Sequence, residues 1–419
     1  MTNLRDVFAD VVVVGGGPAG LTAARELRRN DVERVIVLER ETESGGIPRH
    51  CLHPGYGLRD LRRALNGPDY ARRLTELAVK AGAEVRTEAT ATHWLPGGLG
   101  FSVTSPRGIA SVHAKAVVLA TGARERPRSA RWIPGDRPAG IYTTGQLQQA
   151  VHLHGQKVGT RAVIVGAELV SFSAVLTLAH AGVEVVAMVT DQPRVQTYPT
   201  VPRALGLRHR FPVFTETQVV GVVSDRSAGC LTGVDLQTNS GLLHLGCDTV
   251  VFTGDWIPDH ELARFGDIDM DAGSLGPVVD TSLRTSRPGV FAAGNLVHPV
   301  ETADLCALDG RAVAASVAEF LRNGPGEADV VDIVPGDGVK WIAPGIIRLG
   351  TSAPHGRFTV WPAKAQTPAW LEVKQGNSLI FHRKVLDGAV PGRPVALRAG
   401  WQSAVDPAGG PVHVSVVPD

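Results

Sequence analysis

Cysteine is scarce in this chain and poorly placed for pairing. The four thiols, Cys51, Cys230, Cys247 and Cys306, lie far apart with no CxxC spacing. That excludes a zinc ribbon and a vicinal redox pair of the thioredoxin kind. Scattered thiols fit a reducing compartment, so the expected location is cytoplasmic. An excess of either charge is also missing: 42 Lys and Arg face 41 Asp and Glu. Neither a nucleic-acid surface nor a polyanionic partner is indicated. Apolar runs are short, and none reaches the roughly 18 residues of a membrane span. The run Val11–Val14 follows Asp6 and Asp10 and leads into glycines, which reads as a first strand rather than a signal peptide. His50 and His53 have a spacing that suits a metal, but no third ligand stands nearby, so no metal site is expected.

Length and glycine are plentiful. The 419 residues, 43% of them hydrophobic, suffice for two or three packed cores. The 48 glycines and 28 prolines are spread along the chain and mark turns between short elements. Residues 10–40 read as strand (Val11–Val14), Gly-rich turn, helix (Leu21–Arg29) and parallel strand (Val35–Leu38). A helix over 68–83, short strands from Val85 to Val118, and a buried strand Val117–Ala120 follow. A second strand–helix–strand unit covers Ala162–Val165, Val170–Ala181 and Val183–Val189. Residues 216–254 are β-rich, Val290–Ala293 is another buried strand, and a helix spans about Thr302–Leu321 before a linker at Asn323–Gly326. The tail, 330–419, alternates apolar and polar residues and reads as a small all-β domain.

The strongest motif is Gly15-Gly16-Gly17-Pro18-Ala19-Gly20, a GxGxxG that follows a strand and opens a helix. Gly15 makes the tight turn, Gly17 lets a pyrophosphate approach the backbone, and Gly20 lets helix and strand pack closely. The helix start supplies free N–H groups and a positive dipole end. Glu39 stands nineteen residues past Gly20, at the end of the second strand. A carboxylate there accepts hydrogen bonds from ribose hydroxyls and repels a 2′-phosphate. Arg40, Gly46 and Ile47 extend this candidate cofactor cradle.

Two later segments resemble the pyridine nucleotide–disulfide oxidoreductase family: Val118-Leu119-Ala120-Thr121-Gly122 and Pro288-Gly289-Val290-Phe291-Ala292-Ala293-Gly294-Asn295. The resemblance covers residues 8–322 in order. It implies FAD at the first cradle, with Thr121, Gly122, Gly294 and Asn295 closing the site. Asn295 replaces the family's Asp and loses its charge. The helix entered at Thr302 and Ala303 would aim its dipole at the flavin. The implied fold is α/β, with two glutathione-reductase-like dinucleotide-binding domains and the β tail. Expected boundaries are 1–130 and 256–325 for the FAD domain, 131–255 for the second nucleotide domain and 330–419 for the tail.

The second nucleotide motif is damaged. Val165-Gly166-Ala167-Glu168-Leu169-Val170-Ser171 keeps one glycine of three. Glu168 stands where a pyrophosphate needs bare backbone, and its charge opposes phosphate. NAD(P)H is therefore not expected to bind there in the usual way.

The family's CxxxxC pair would fall in Gly45-Gly46-Ile47-Pro48-Arg49-His50-Cys51, where one Cys stands alone. Disulfide exchange by a vicinal pair is excluded. Arg49, His50 and Cys51 are the candidate catalytic residues. Arg49 and His50 suit an anionic substrate or a reduced flavin, against a surface or interface ion pair for Arg49. Cys51 reads as a reactive or a packed thiol, and Cys306 as packing. His298 and Glu301 are further candidates, against a role as helix caps.

The stretches 45–50, 55–59, 294–295 and 301–304 resemble more narrowly the flavoprotein alpha subunits of opine oxidase, proline and hydroxyproline dehydrogenase and hydrogen cyanide synthase, and related partners of anaerobic glycerol-3-phosphate dehydrogenase. That implies a flavin subunit working with a sister dehydrogenase subunit, in an oligomer or hetero-complex. Residues 330–419 hold no cysteine, so the [2Fe–2S] cluster of many such subunits has no ligands there, and the tail is expected to serve docking. Two other readings stand beside it: a self-sufficient flavin oxidase or dehydrogenase of a small-molecule substrate, using oxygen or quinone, and an FAD-stabilised interaction scaffold.

Overall fold

Continuous β-branched runs can be satisfied only where both faces of a strand are covered. Residues 5–197, 211–299 and 301–418 are described by a computed structural model, and they show this in the parallel strands of two sheets, the first of which also carries an antiparallel edge. Strand β1 (Arg5–Val14) leads through the glycine turn into helix α1 (Pro18–Arg29) and back to β2 (Val35–Leu38), with Val11 opposite Val35 and Val14 opposite Leu38. Val11, Val12 and Val13 are wholly buried. Helix α2 (Gly67–Lys80) returns the chain to β3 (Glu84–Arg86), which pairs parallel with β2. On the other side of β1 lies the long strand β4 (Gly108–Leu119). Its last residues also pair parallel with Val290–Ala292. The first and last parts of the dinucleotide unit therefore meet in one sheet.

The second sheet orders Ile141–Thr143, Thr249–Phe252, β5 (Arg161–Val165), Glu184–Val189 and Val213–Phe214, all parallel. Helix α3 (Thr144–Gln148) precedes β5 and α4 (Leu169–His180) follows it. A two-stranded ribbon, Ala123–Glu125 with Trp256–Pro258, joins this unit to the first. Helix α5 (Ala303–Asn323) packs along α1 and ends where Gly324 turns to φ +77°. The tail forms a five-stranded and a three-stranded sheet around Phe358, Leu371, Val373, Leu397, Val412 and Val414, all fully buried.

The expected elements are present with shifted ends. Helix α1 begins three residues before Leu21, because Pro18 pre-sets a helical φ at the first position. The strand expected at Val117–Ala120 starts nine residues earlier, since its N-terminal half is needed to pair with Gly100–Ser105. Part of the 131–255 segment, 198–210, lies outside the described residues. Phe358 fills the centre of the tail's core. Phe358→Ala should lower stability by about 3–5 kcal/mol, read as an earlier transition in urea unfolding.

Candidate functional site

The first glycine loop leaves room on one side and none on the other. Gly15 has φ +107°, and a Cβ there would stand 2.3 Å from Ala120 O. A Cβ on Gly20 would meet Gly15 O at 1.9 Å, so helix and loop touch backbone to backbone. Around Gly17 the nearest atom is Gly46 Cα at 4.0 Å, which leaves its face open. Helix α1 has Pro18 in its first turn, and no side chain caps it. Its orphan N–H groups are available to an anion. Ala19 faces the closure motif: a Cβ on Gly294 would lie 2.8 Å from Ala19 Cβ.

Glu39 is buried and held by two backbone donors, Gly16 N and Glu41 N, each at 2.9 Å. Its orientation is thereby set, and each oxygen keeps a lone pair for a ribose. Arg40 is exposed and leans to Asp259 at 3.4 Å. Thr121 Oγ1 donates to Asp259 O at 2.7 Å, and Asp259 N donates to Gly122 O at 2.9 Å, so the Ala-Thr-Gly turn anchors the segment that reaches Arg40. Asn295 closes its own loop: Nδ2 donates to Glu301 O at 3.1 Å while Oδ1 accepts from Glu301 N at 3.0 Å. An Asp cannot do both, which gives the amide a structural reason. Thr302 precedes α5 and donates to Asp304 at 2.5 Å, and Arg59 bonds both. Ala303 O accepts from Tyr70 at 3.4 Å.

Gly46, at φ +65°, brings the next turn against Gly17 and starts a 3-10 helix, Ile47–His50. Ile47 is half exposed. Arg49 pairs with Glu43 at 3.5 Å. His50 and Cys51 are buried and share one partner, Gln148 at the end of α3. His50 Nδ1 and Cys51 Sγ each lie 3.2 Å from Gln148 Oε1, while Gln148 Nε2 donates to Ser173 Oγ at 2.7 Å. Burial pushes the Cys51 thiol up to about 11, so it stays protonated at neutral pH. Burial likewise brings His50 down to about 4. No residue pattern in the sequence pointed to Gln148 or Ser173.

His298 and Glu301 belong to a buried ionic network that reaches the tail. Asp309 accepts from His298 Nε2 at 2.5 Å, from His355 Nε2 at 2.6 Å and from Gly294 N at 3.2 Å. Burial opposes the charge on Asp309, but the two imidazoles outweigh it and hold the carboxyl well below the usual range. Glu301 accepts from Arg357 at 2.7 Å and Thr359 at 3.0 Å. His355 and Arg357 lie 46 and 56 residues from their partners, a distance no local pattern encodes. Cys306 is buried at this helix.

The second loop is filled from within. Glu168 caps α4 with its own side chain: Oε2 accepts from Ser171 at 2.8 Å and from Thr253 at 2.9 Å. Tail residues close over it. A Cβ on Gly392 would lie 3.2 Å from Glu168 Cγ, and Arg194 donates to Asp387 O at 3.3 Å.

A pyridine nucleotide-disulphide oxidoreductase family model matches residues 9–317. The chain belongs to this family. Its members are FAD flavoproteins, and the open Gly17 face, the uncapped α1 and the oriented Glu39 fit that cofactor. The A subunit of opine oxidase from Rhizobium meliloti is 29% identical over 323 residues, covering 70% of this chain and 59% of that protein. The chain thus spans about three-fifths of that relative's length. The alpha subunit of sarcosine oxidase from Corynebacterium sp. (strain P-1) is 31% identical over 304 residues, covering 70% of this chain and 28% of that one. Thioredoxin reductase of T. acidophilum shares the fold, with a TM-score of 0.62 at 22% identity over 75% of this chain and 98% of that chain. L-proline dehydrogenase from P. horikoshii has a TM-score of 0.57 at 18% identity, over 77% and 57%. Among the described residues no helix is long and apolar enough to cross a membrane, and no group of three or more His, Cys, Asp or Glu is placed to hold a metal.

Two outcomes test this geometry. Gly20→Val should abolish FAD binding, because the new Cβ would overlap Gly15 O; the purified variant should lack the flavin absorbance band. The second concerns Glu125, which is buried at the ribbon end, accepts from Gly145 N at 2.8 Å and is pushed by burial from 4.5 up to about 7. The folded state therefore keeps a proton that the unfolded chain releases between those values. Its contribution is full below about pH 4.5 and falls as pH rises through about 7, by on the order of 3 kcal/mol. Glu125→Gln should flatten that part of the stability–pH curve in urea unfolding.

Proposed function

We propose that this chain is the FAD-carrying subunit of a multi-subunit dehydrogenase for an amino acid, an amine or a glycerol phosphate, and that it does not take electrons from NAD(P)H at the usual site. The observation that carries this is the contrast between the two loops. One helix start is uncapped and open, whereas the other already holds the Glu168 carboxylate where a diphosphate would lie and has Gly392 packed against it. A second anion there would face a fixed negative charge at the helix start. The subunit reading is supported by the relatives, named as subunits of opine and sarcosine oxidases. We also propose the division of the chain at 130, 255 and 325–330, supported by hydrophobic clusters centred on the first sheet, the second unit and the tail, with Trp341 and Ala343 of the tail joining the first. The soluble, cytoplasmic setting is part of the same proposal.

Gly15, Gly17, Gly20 and Glu39 would hold the adenosine diphosphate half of FAD, and Gly46, Asn295, Thr302 and Ala303 would line the flavin half. FAD supplies the two-electron acceptor of the reaction. The chain's own residues give that acceptor its surroundings. Arg59 and the α5 helix start stand at one edge, where the guanidinium is paired with Asp304 of the first turn. The His50–Gln148–Cys51 group brings neutral hydrogen-bonding atoms near the Gly46 turn. The buried, fully arranged polar group at His50 favours a second reading, in which the chain oxidises a small substrate by itself.

Stopped-flow mixing separates the two. NADH should leave the flavin band of the pure protein unbleached on the timescale of turnover; rapid bleaching would defeat the NAD(P)H part. Reduction by an amino acid or glycerol phosphate only after the sister subunit is added supports the subunit reading. Reduction of the isolated chain, reversed by air, supports the second.

A further inference from the structure

Three elements meet at His50. The 3-10 helix Ile47–His50 supplies the imidazole, α3 supplies Gln148 and α4 supplies Ser173. All three side chains are buried. Gln148 Nε2 donates to Ser173 Oγ at 2.7 Å, so the amide presents its oxygen to the other side. That oxygen is an acceptor and nothing else. At 3.2 Å from it, His50 Nδ1 must be the N–H. Cys51 fits the same direction, since its thiol donates to the same oxygen at 3.2 Å. A neutral imidazole protonated at Nδ1 carries its lone pair on Nε2. Nε2 has no hydrogen-bond partner among the described residues.

We propose that His50 is the proton acceptor of this site, with Nε2 presented by Gln148 and Ser173 as positioning residues, and that the site therefore takes a substrate that brings an N–H or O–H group, an amine or an alcohol, to that nitrogen. The assignment rests on the reading of this face as the flavin face of an FAD-dependent oxidoreductase. In the oxidation of an amine, bound FAD would supply the two-electron acceptor that takes the substrate C–H hydrogen with its electron pair as hydride. The N–H bond breaks as the carbon–nitrogen double bond forms, and that proton goes to His50 Nε2. Gln148 Oε1 then supports the imidazolium through Nδ1–H. Burial and the nearby Arg49 and His152 disfavour the charged ring against the support of Gln148, which works against uptake of the proton and favours its prompt release. A group with no hydrogen to donate is poorly served at Nε2, because a lone pair faces it.

The test is nitrogen NMR on FAD-loaded protein labelled with ¹⁵N-histidine, with His50 assigned by its absence in His50→Gln. The expected spectrum at neutral pH shows protonated Nδ1 and bare Nε2. Ser173→Ala and Gln148→Leu should lose this single tautomer, while Ser173→Thr, which keeps the hydroxyl, should retain it; flavin absorbance matched to wild type verifies that each variant is folded. Methylammonium should shift the Nε2 resonance, and acetate at equal concentration should not. An Nε2–H tautomer, an imidazolium at neutral pH, or an Nε2 that ignores methylammonium would each overturn the proposal. Failure of the wider reading looks different: a protein that binds no flavin, whatever the His50 tautomer.

Discussion

A helix start can bind a diphosphate only while no other negative charge occupies it, and this constraint separates the two halves of the molecule. Both halves use the same strand–loop–helix device. In the first, glycines at 15, 17 and 20 strip side chains from the turn, and Pro18 opens α1 without a capping side chain. In the second, Glu168 and Ser171 form a reciprocal cap on α4, with Thr253 bonded to the same carboxylate. A carboxylate in this position provides the negative charge the dipole favours. The helix is stabilised and the anion site is used up in the same step.

The tail depends on that outcome. Its loop around Asp387–Gly392 packs where a nucleotide would otherwise enter, touching Arg194, Gln196 and Glu168. At its other contact, His355 and Arg357 reach Asp309 and Glu301 beside the flavin closure. Buried ion pairs give little net stability, because desolvation offsets their attraction, but removing one partner leaves an uncompensated charge. Such a network therefore acts more to specify one arrangement than to add stability. Asp309 carries that specification to the backbone of Gly294, the residue packed on Ala19.

Neutral polar groups, not charged ones, dominate the other face. The cysteine pair that defines disulfide-reducing members of the family is absent, and Cys51 is sealed as a thiol. In its place a glutamine joins two side chains from the Gly46 turn to a serine on α4. Hydrogen-bond direction is passed from Ser173 to Gln148 to His50 where those relatives carry a disulfide.

Much of the fold was legible in the sequence for a local reason. Strand period, glycine spacing and the acidic residue after the second strand are all encoded within forty residues, and steric demands on Gly15 and Gly20 leave few alternatives. The replacement of glycine by Glu168 was equally plain, because it breaks a local pattern. Tertiary structure alone decided where the side chains of the active face point. Gln148 lies 98 residues from His50 and 25 from Ser173, and Asp309 lies 46 from His355. Such pairs follow from how separate sheets and helices pack, and periodicity carries no record of them. The loss of a glycine showed that the second cradle had changed; only the packed structure showed that the carboxylate turned inward to cap its own helix.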